Sequence, residues 1–132
     1  MSGCLDLKKY KLDKPSEMIR QLFSLIENES PDIIVAEEMA VTRNAKTSRV
    51  LTMILGAVYG KCIERNIKWD TLRPTEWRAA VRGEDEKLPR SREELKKWSK
   101  DKVKELFGIQ KVNDDVSDSI LIGQAYINKH KD

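Results

Sequence analysis

The run Ile33-Ile34-Val35-Ala36, closed by Glu37-Glu38, limits what this chain can fold into more than any other segment. It is short, continuous and β-branched, and Pro31-Asp32 turns the chain into it. Branched side chains are stiff at χ1 and pack well on a pleated surface. Without polar alternation, the run predicts a strand buried on both faces, as in a parallel or mixed α/β sheet. Glu37 and Glu38 end it. A carboxylate is costly to bury without a partner, and the carboxyl end of such a strand is where open α/β sheets place ligands.

Helical patterns flank this strand. Lys14-Pro15-Ser16-Glu17 opens a helix with Met18, Ile19, Leu22, Phe23, Leu25 and Ile26 at helical spacing, closed by Asn28 to Ser30. Thr42 to Lys46 reads as a polar loop. Thr47 or Ser48 caps a long helix that Asn66 closes. Ile67 to Leu72 is a second short strand, and Pro74 fits the first turn of a short helix with Gly83 as its stop. Glu84 to Arg90, charged and containing Pro89, is expected to be a mobile loop. Ser91-Arg92-Glu93-Glu94 has the S-x-x-E capping pattern, and its helix runs to about Phe107 with Gly108 as cap. Asn113-Asp114-Asp115 starts a last helix towards Tyr126. Ser2 to Leu7 can form a further short strand or strand end. The order predicts α/β with helices on both faces of a sheet.

The length of 132 residues suits one domain, 1–132. A net charge of +3 permits a nucleic-acid partner without demanding one. Cys4 and Cys62 form no CxxC or Cys/His cluster, and the one histidine is His130, so the pattern argues against zinc. No run is long and apolar enough to span a membrane, and charges at Asp6, Lys8 and Lys9 interrupt any leader-like stretch. These features predict a cytoplasmic protein with reduced thiols.

Asp115 and Asp118 are three apart at a helix start and share one face. A strand-end Glu37 facing that pair would offer oxygen ligands suited to Mg²⁺ or Mn²⁺, and two such ions about 4 Å apart activate water at a phosphodiester. The plainer alternative makes Glu37-Glu38 a strand exit and Asp114-Asp115 complements of the helix dipole. On the helix after Ser91, Arg92, Lys96 and Lys100 recur every four residues, forming a ridge that can track phosphates or serve as ordinary solvated surface. Trp77 and Trp98 are expected in the core rather than stacked on bases. The helix 48–65 is apolar on more than one side and holds Gly56 and Gly60. Such a helix is expected to be buried twice, against the sheet and against its twin in a two-fold dimer, or once as a deep core helix in a monomer.

Three segments resemble the RuvC-type Holliday-junction resolvases of the RNase H-like superfamily. They are Pro31 to Glu38 followed by Arg43-Asn44 and a helix with Gly56; Arg73-Pro74-Thr75-Glu76-Trp77-Arg78, similar to a strand-to-helix turn of phage-type members; and Val112 to Ile120, similar to the family's terminal D-x-x-D helix. The resemblance implies an RNase H-like mixed sheet flanked by helices. It also implies a homodimeric, Mg²⁺-dependent crossover junction endodeoxyribonuclease that nicks four-way DNA junctions symmetrically. By matching positions, Glu37, Asp115 and Asp118 become catalytic and metal-binding residues, with Glu38 and Asp114 as neighbours, and Arg78, Arg92 and Lys96 become DNA contacts. Lys96 falls where the family has a DNA-contacting lysine.

Two departures qualify the match. Ser2 to Leu7 resembles the family's third strand, so the first strand with its metal-binding aspartate is expected to be missing, and Asp6 lies in the wrong segment to replace it. Weak or absent cleavage from this chain alone follows. Met39-Ala40 stand where the family often has a bulky aromatic. The alternatives left open are a non-catalytic DNA-binding fragment, another RNase H-like nuclease acting on flaps, RNA or hybrids, and a structural domain whose acids are caps and strand ends.

Overall fold

The computed structural model describes residues 15–38 and 45–131. The expected strand at Ser2–Leu7, with Cys4 and Asp6, lies outside the described residues, as do Met39, Ala40 and Arg43-Asn44. The element order is α1 (Pro15–Glu29), β1 (Ile33–Glu37), α2 (Ala45–Arg65), β2 (Lys68–Leu72), α3 (Pro74–Val81), α4 (Arg92–Phe107) and α5 (Asp114–Lys129). Two compact units divide the chain near Leu72.

In the first unit, up to Thr71, β1 and β2 pair in a two-stranded parallel sheet. Parallel strands need a long crossover, and α2 supplies it. Lys68 N–H donates to the Asp32 carbonyl at 3.1 Å where the strands begin to pair. α1 packs on α2 through one stripe each: Met18 meets Val50 and Ile54, while Ile26 meets Val58 and Cys62, with Leu22 bridging both groups. Ile34, Ile67 and Trp69 close the second cluster. Cys62 is a free, buried thiol, as expected, and burial pushes its pKa up. Asn66 ends α2 at φ 57°, a left-handed conformation that asparagine tolerates better than most residues.

Two local expectations need correction here. β1 is half-buried along Ile33 to Ala36 and exposed at Glu37, not buried on both faces, because β2 alone pairs with it among the described residues. α2 starts at Ala45, two residues before the expected Thr47 cap. Val50, Ile54, Val58 and Cys62 of α2 face the core, whereas Met53, Tyr59 and Ile63 are exposed.

In the second unit, from Leu72 onward, α5 packs against both α3 and α4. Trp77, Val81, Trp98, Val103, Leu121, Ile122 and Ala125 are buried there, so Trp77 and Trp98 are core residues, as expected. Ser91 caps α4, its hydroxyl accepting from Glu94 N–H at 3.1 Å, and Gly108 ends it at φ 68°. Asn113 caps α5, its side chain accepting from Val116 N–H at 2.8 Å. α3 does not stop through Gly83. Arg82 swings to an extended conformation and ends the helix, and Gly83 N–H donates at 2.8 Å to the Glu86 carboxylate.

That contact also corrects the mobile loop expected over 84–90. Glu86 Oε2 accepts from the Trp98 indole at 3.0 Å, and Glu86 Oε1 accepts from Lys102 Nζ at 2.6 Å. The segment is pinned at its centre to α4. No helix among the described residues is long and apolar enough to cross a membrane.

Candidate functional site

Glu37 ends β1 because the β-branched run stops there, and its side chain is exposed. Beside it, a shallow depression of about 330 Å³ opens between the strand ends and α2. Glu37, Glu38, Gly56, Tyr59, Trp69 and Thr71 are among its lining residues. Trp69 of β2 stacks on Tyr59 of α2 with ring centroids 5.6 Å apart and planes within 8°. The depression thus joins two acidic side chains to a flat aromatic wall.

In the other unit, the Asn113 cap fixes the start of α5 and so sets its first-turn acids. Asp114 is half-buried, Asp115 exposed and Asp118 half-buried. Asp115 and Asp118 lie three apart on one helix, as expected for neighbours on one face. Negative charge at a helix N-terminus is favourable in itself. Asp114 also draws two amines from α4: Lys100 Nζ at 3.1 Å and Lys96 Nζ at 3.7 Å.

The expected DNA contacts occupy unlike surroundings. Arg92 is exposed at the first position of α4. Lys96 is partly exposed and turned to Asp114. Arg78 is half-buried with its guanidinium 4.9 Å from the Trp77 ring centroid, and its Nε is buried without a hydrogen-bond partner among the described residues. Lys102, one of the basic residues of the same helix, leaves the candidate surface altogether: its side chain is 5 % exposed, between Glu86 and Glu105. Burial pulls its pKa down, but the two carboxylates outweigh this and hold it above the usual lysine value. Glu86 is in turn held down to about 2 by Lys102 first, then by the Gly83 amide and the Trp98 indole. Sequence reading missed this centre, although Lys102 falls four residues after Trp98 and beside Val103, on the buried stripe of α4.

The donors singled out for a divalent ion are all carboxylates, which suits a hard cation. Among the described residues, however, no group of three or more His, Cys, Asp or Glu side chains is gathered to hold a metal ion. Glu37 belongs to one unit, and Asp115 and Asp118 to the other.

No protein-family model matches the chain, and no curated protein matches it. Solved structures do. RuvC of T. thermophilus in complex with a Holliday junction substrate matches with a TM-score of 0.66 at 13% identity, covering 91% of this chain and 70% of that one. A second Thermus thermophilus RuvC structure matches with a TM-score of 0.65 at 15% identity, over the same shares. The chain therefore has a RuvC-like α/β fold.

Proposed function

We propose that this chain acts on DNA as a RuvC-type nuclease: a crossover junction endodeoxyribonuclease that hydrolyses phosphodiesters symmetrically at four-way junctions during recombination, repair or phage DNA processing in the cytoplasm. The observation that carries the reading is the fold match over 91% of the chain to a RuvC bound to a junction. Supporting it are a glutamate at the end of β1 and an aspartate pair three apart on α5, the types and places the resembling segments call for. Glu37, Asp115 and Asp118 are the proposed catalytic positions and ligands of Mg²⁺ or Mn²⁺. That ligand role rests on their chemistry and their segments, not on assembled geometry. Arg78, Arg92 and Lys96 are the proposed phosphate contacts.

A homodimer along α2 belongs to the same reading. Met53, Gly56, Gly60 and Ile63 share one side of α2, and all four are exposed. That side is free to meet its twin in an isologous contact.

The test uses a labelled four-way junction and a matched duplex, with Ca²⁺ for binding and Mg²⁺ or Mn²⁺ for nicking. Selective junction binding with weak symmetric nicking, lost in Glu37→Ala, is the expected result. Equal cutting of flaps, RNA or hybrids would move the assignment to another RNase H-like nuclease. A second reading is a DNA-binding protein without cleavage; selective binding without cuts would establish it. A folded protein that ignores junctions would refute both.

A further inference from the structure

Lys96 and Lys100 stand one turn apart on α4, and both direct their amines at one carboxylate, Asp114 at the start of α5. The Nζ to oxygen distances are 3.7 and 3.1 Å, and the Lys96, Lys100 and Asp114 side chains remain 37%, 46% and 23% exposed. The two lysine side chains are therefore partly open to solvent, while the group joining them is the more buried member. An oxygen anion between two ammonium groups one helical turn apart has the charge and spacing that a backbone phosphate would supply.

We infer that Asp114 is an internal stand-in for phosphate: its carboxylate occupies the anion position between Lys96 and Lys100 and masks both amines until a polyanion displaces it. The inference rests on the nucleic-acid reading above and deepens it, giving Asp114 a role separate from cation binding. Partly exposed ion pairs are weak, each contributing little at physiological salt. Phosphate exchange is therefore accessible, and Asp114 lowers affinity without blocking the site. It also discriminates, because a lone anion meets competition from Asp114, whereas a backbone with several phosphates engages Arg92, Lys96 and Lys100 together. Asp114 is thus a residue that sets affinity through the two lysines rather than a catalytic one.

The experiment measures anisotropy of a labelled four-way junction against salt, in EDTA so that no divalent ion contributes. It compares the full chain with Asp114→Asn, with Asp101→Asn as a matched loss of one exposed acid on α4, and with Asp114→Asn combined with Lys96→Gln and Lys100→Gln. Asparagine keeps the size of the side chain, and circular dichroism confirms the fold of each variant. Asp114→Asn is expected to bind about fivefold tighter at low salt, with a log–log salt slope steeper by about one to two. The gain disappears in the triple variant and is absent in Asp101→Asn.

An unchanged affinity and slope in Asp114→Asn, weaker binding, or an equal gain in Asp101→Asn would overturn the inference. Should the parent chain bind neither junction nor duplex, the nuclease reading fails separately. Elution from heparin then decides the masking: later elution of Asp114→Asn than of Asp101→Asn supports it, and identical elution overturns it.

Discussion

Replacing Glu86 by glutamine should destabilise the chain by about 2 kcal/mol at neutral pH, and the cost should vanish in acid. Glutamine keeps a single acceptor oxygen, so it retains only one of the Gly83 N–H and Trp98 indole bonds, which go to different oxygens of Glu86, and it removes the charge facing Lys102. Lys102 is 5 % exposed, and its remaining partner Glu105 lies at 3.0 Å on the solvent side. The gap between the ordinary glutamate value of 4.5 and about 2 in the fold corresponds to about 3.4 kcal/mol. The Glu86 side chain is 32% exposed, however, so screening by water brings the expectation to about 2 kcal/mol.

The sign follows from the direction of the shift. The folded value is the lower one, so the stabilisation is fully present above pH 4.5 and is lost as pH falls towards about 2. Glutamine does not titrate, so the difference between parent and Glu86→Gln should close over that window. Lys102→Met should cost less than Glu86→Gln. It removes the buried charge and leaves Glu86 with two N–H donors and access to water, whereas Glu86→Gln strands an ammonium in the interior. Urea denaturation followed by circular dichroism, from pH 7 down to pH 3, measures all three proteins. A pH-independent difference, or a larger loss in Lys102→Met, would refute the reasoning.

Gly60→Leu should abolish any self-association along α2 while leaving the monomer folded, because a Cβ at Gly60 meets nothing within 4 Å; light scattering across concentrations tests this. Gly56→Ala, also in open helix, should raise stability by up to about 1 kcal/mol by thermal melt. Gly108→Ala should instead lower it by about 1–2 kcal/mol, since φ is 68° there and a Cβ disfavours that conformation. The Glu76 carboxyl, held down to about 2 by Lys129 first and then by Arg73, should titrate far below 4.5 in an NMR pH series; removing Lys129 should raise its midpoint.

Much of the local structure was legible in the residues because its causes lie within one helical turn. Ser91 and Asn113 cap their helices through amides three residues on, and Gly108 and Asn66 end theirs by taking left-handed conformations. The strand over 33–37 follows from branched side chains in sequence, and the shared face of Asp115 and Asp118 from helical spacing alone. The α/β order was legible from the succession of such elements, and the RuvC-like fold only through the resemblance of three segments to a known family.

Tertiary structure decided which of several equivalent residues does what. Lys96, Lys100, Lys102 and Lys104 all suit a helix, and propensity does not separate them. The rotation of α4 against α5 turns Lys96 and Lys100 to Asp114, and Lys102 inward to Glu86. Glu86 reaches Trp98 and Lys102 across 12 and 16 residues, a separation no capping pattern spans, so a segment that reads as mobile is pinned. β1 carries the composition of a doubly buried strand yet lies half-buried, because burial belongs to the neighbours a strand meets and not to the strand itself. The sequence by itself determined the elements and the chemistry available on them. Packing determined which charges face each other, because an ion pair depends on where two backbones come to rest.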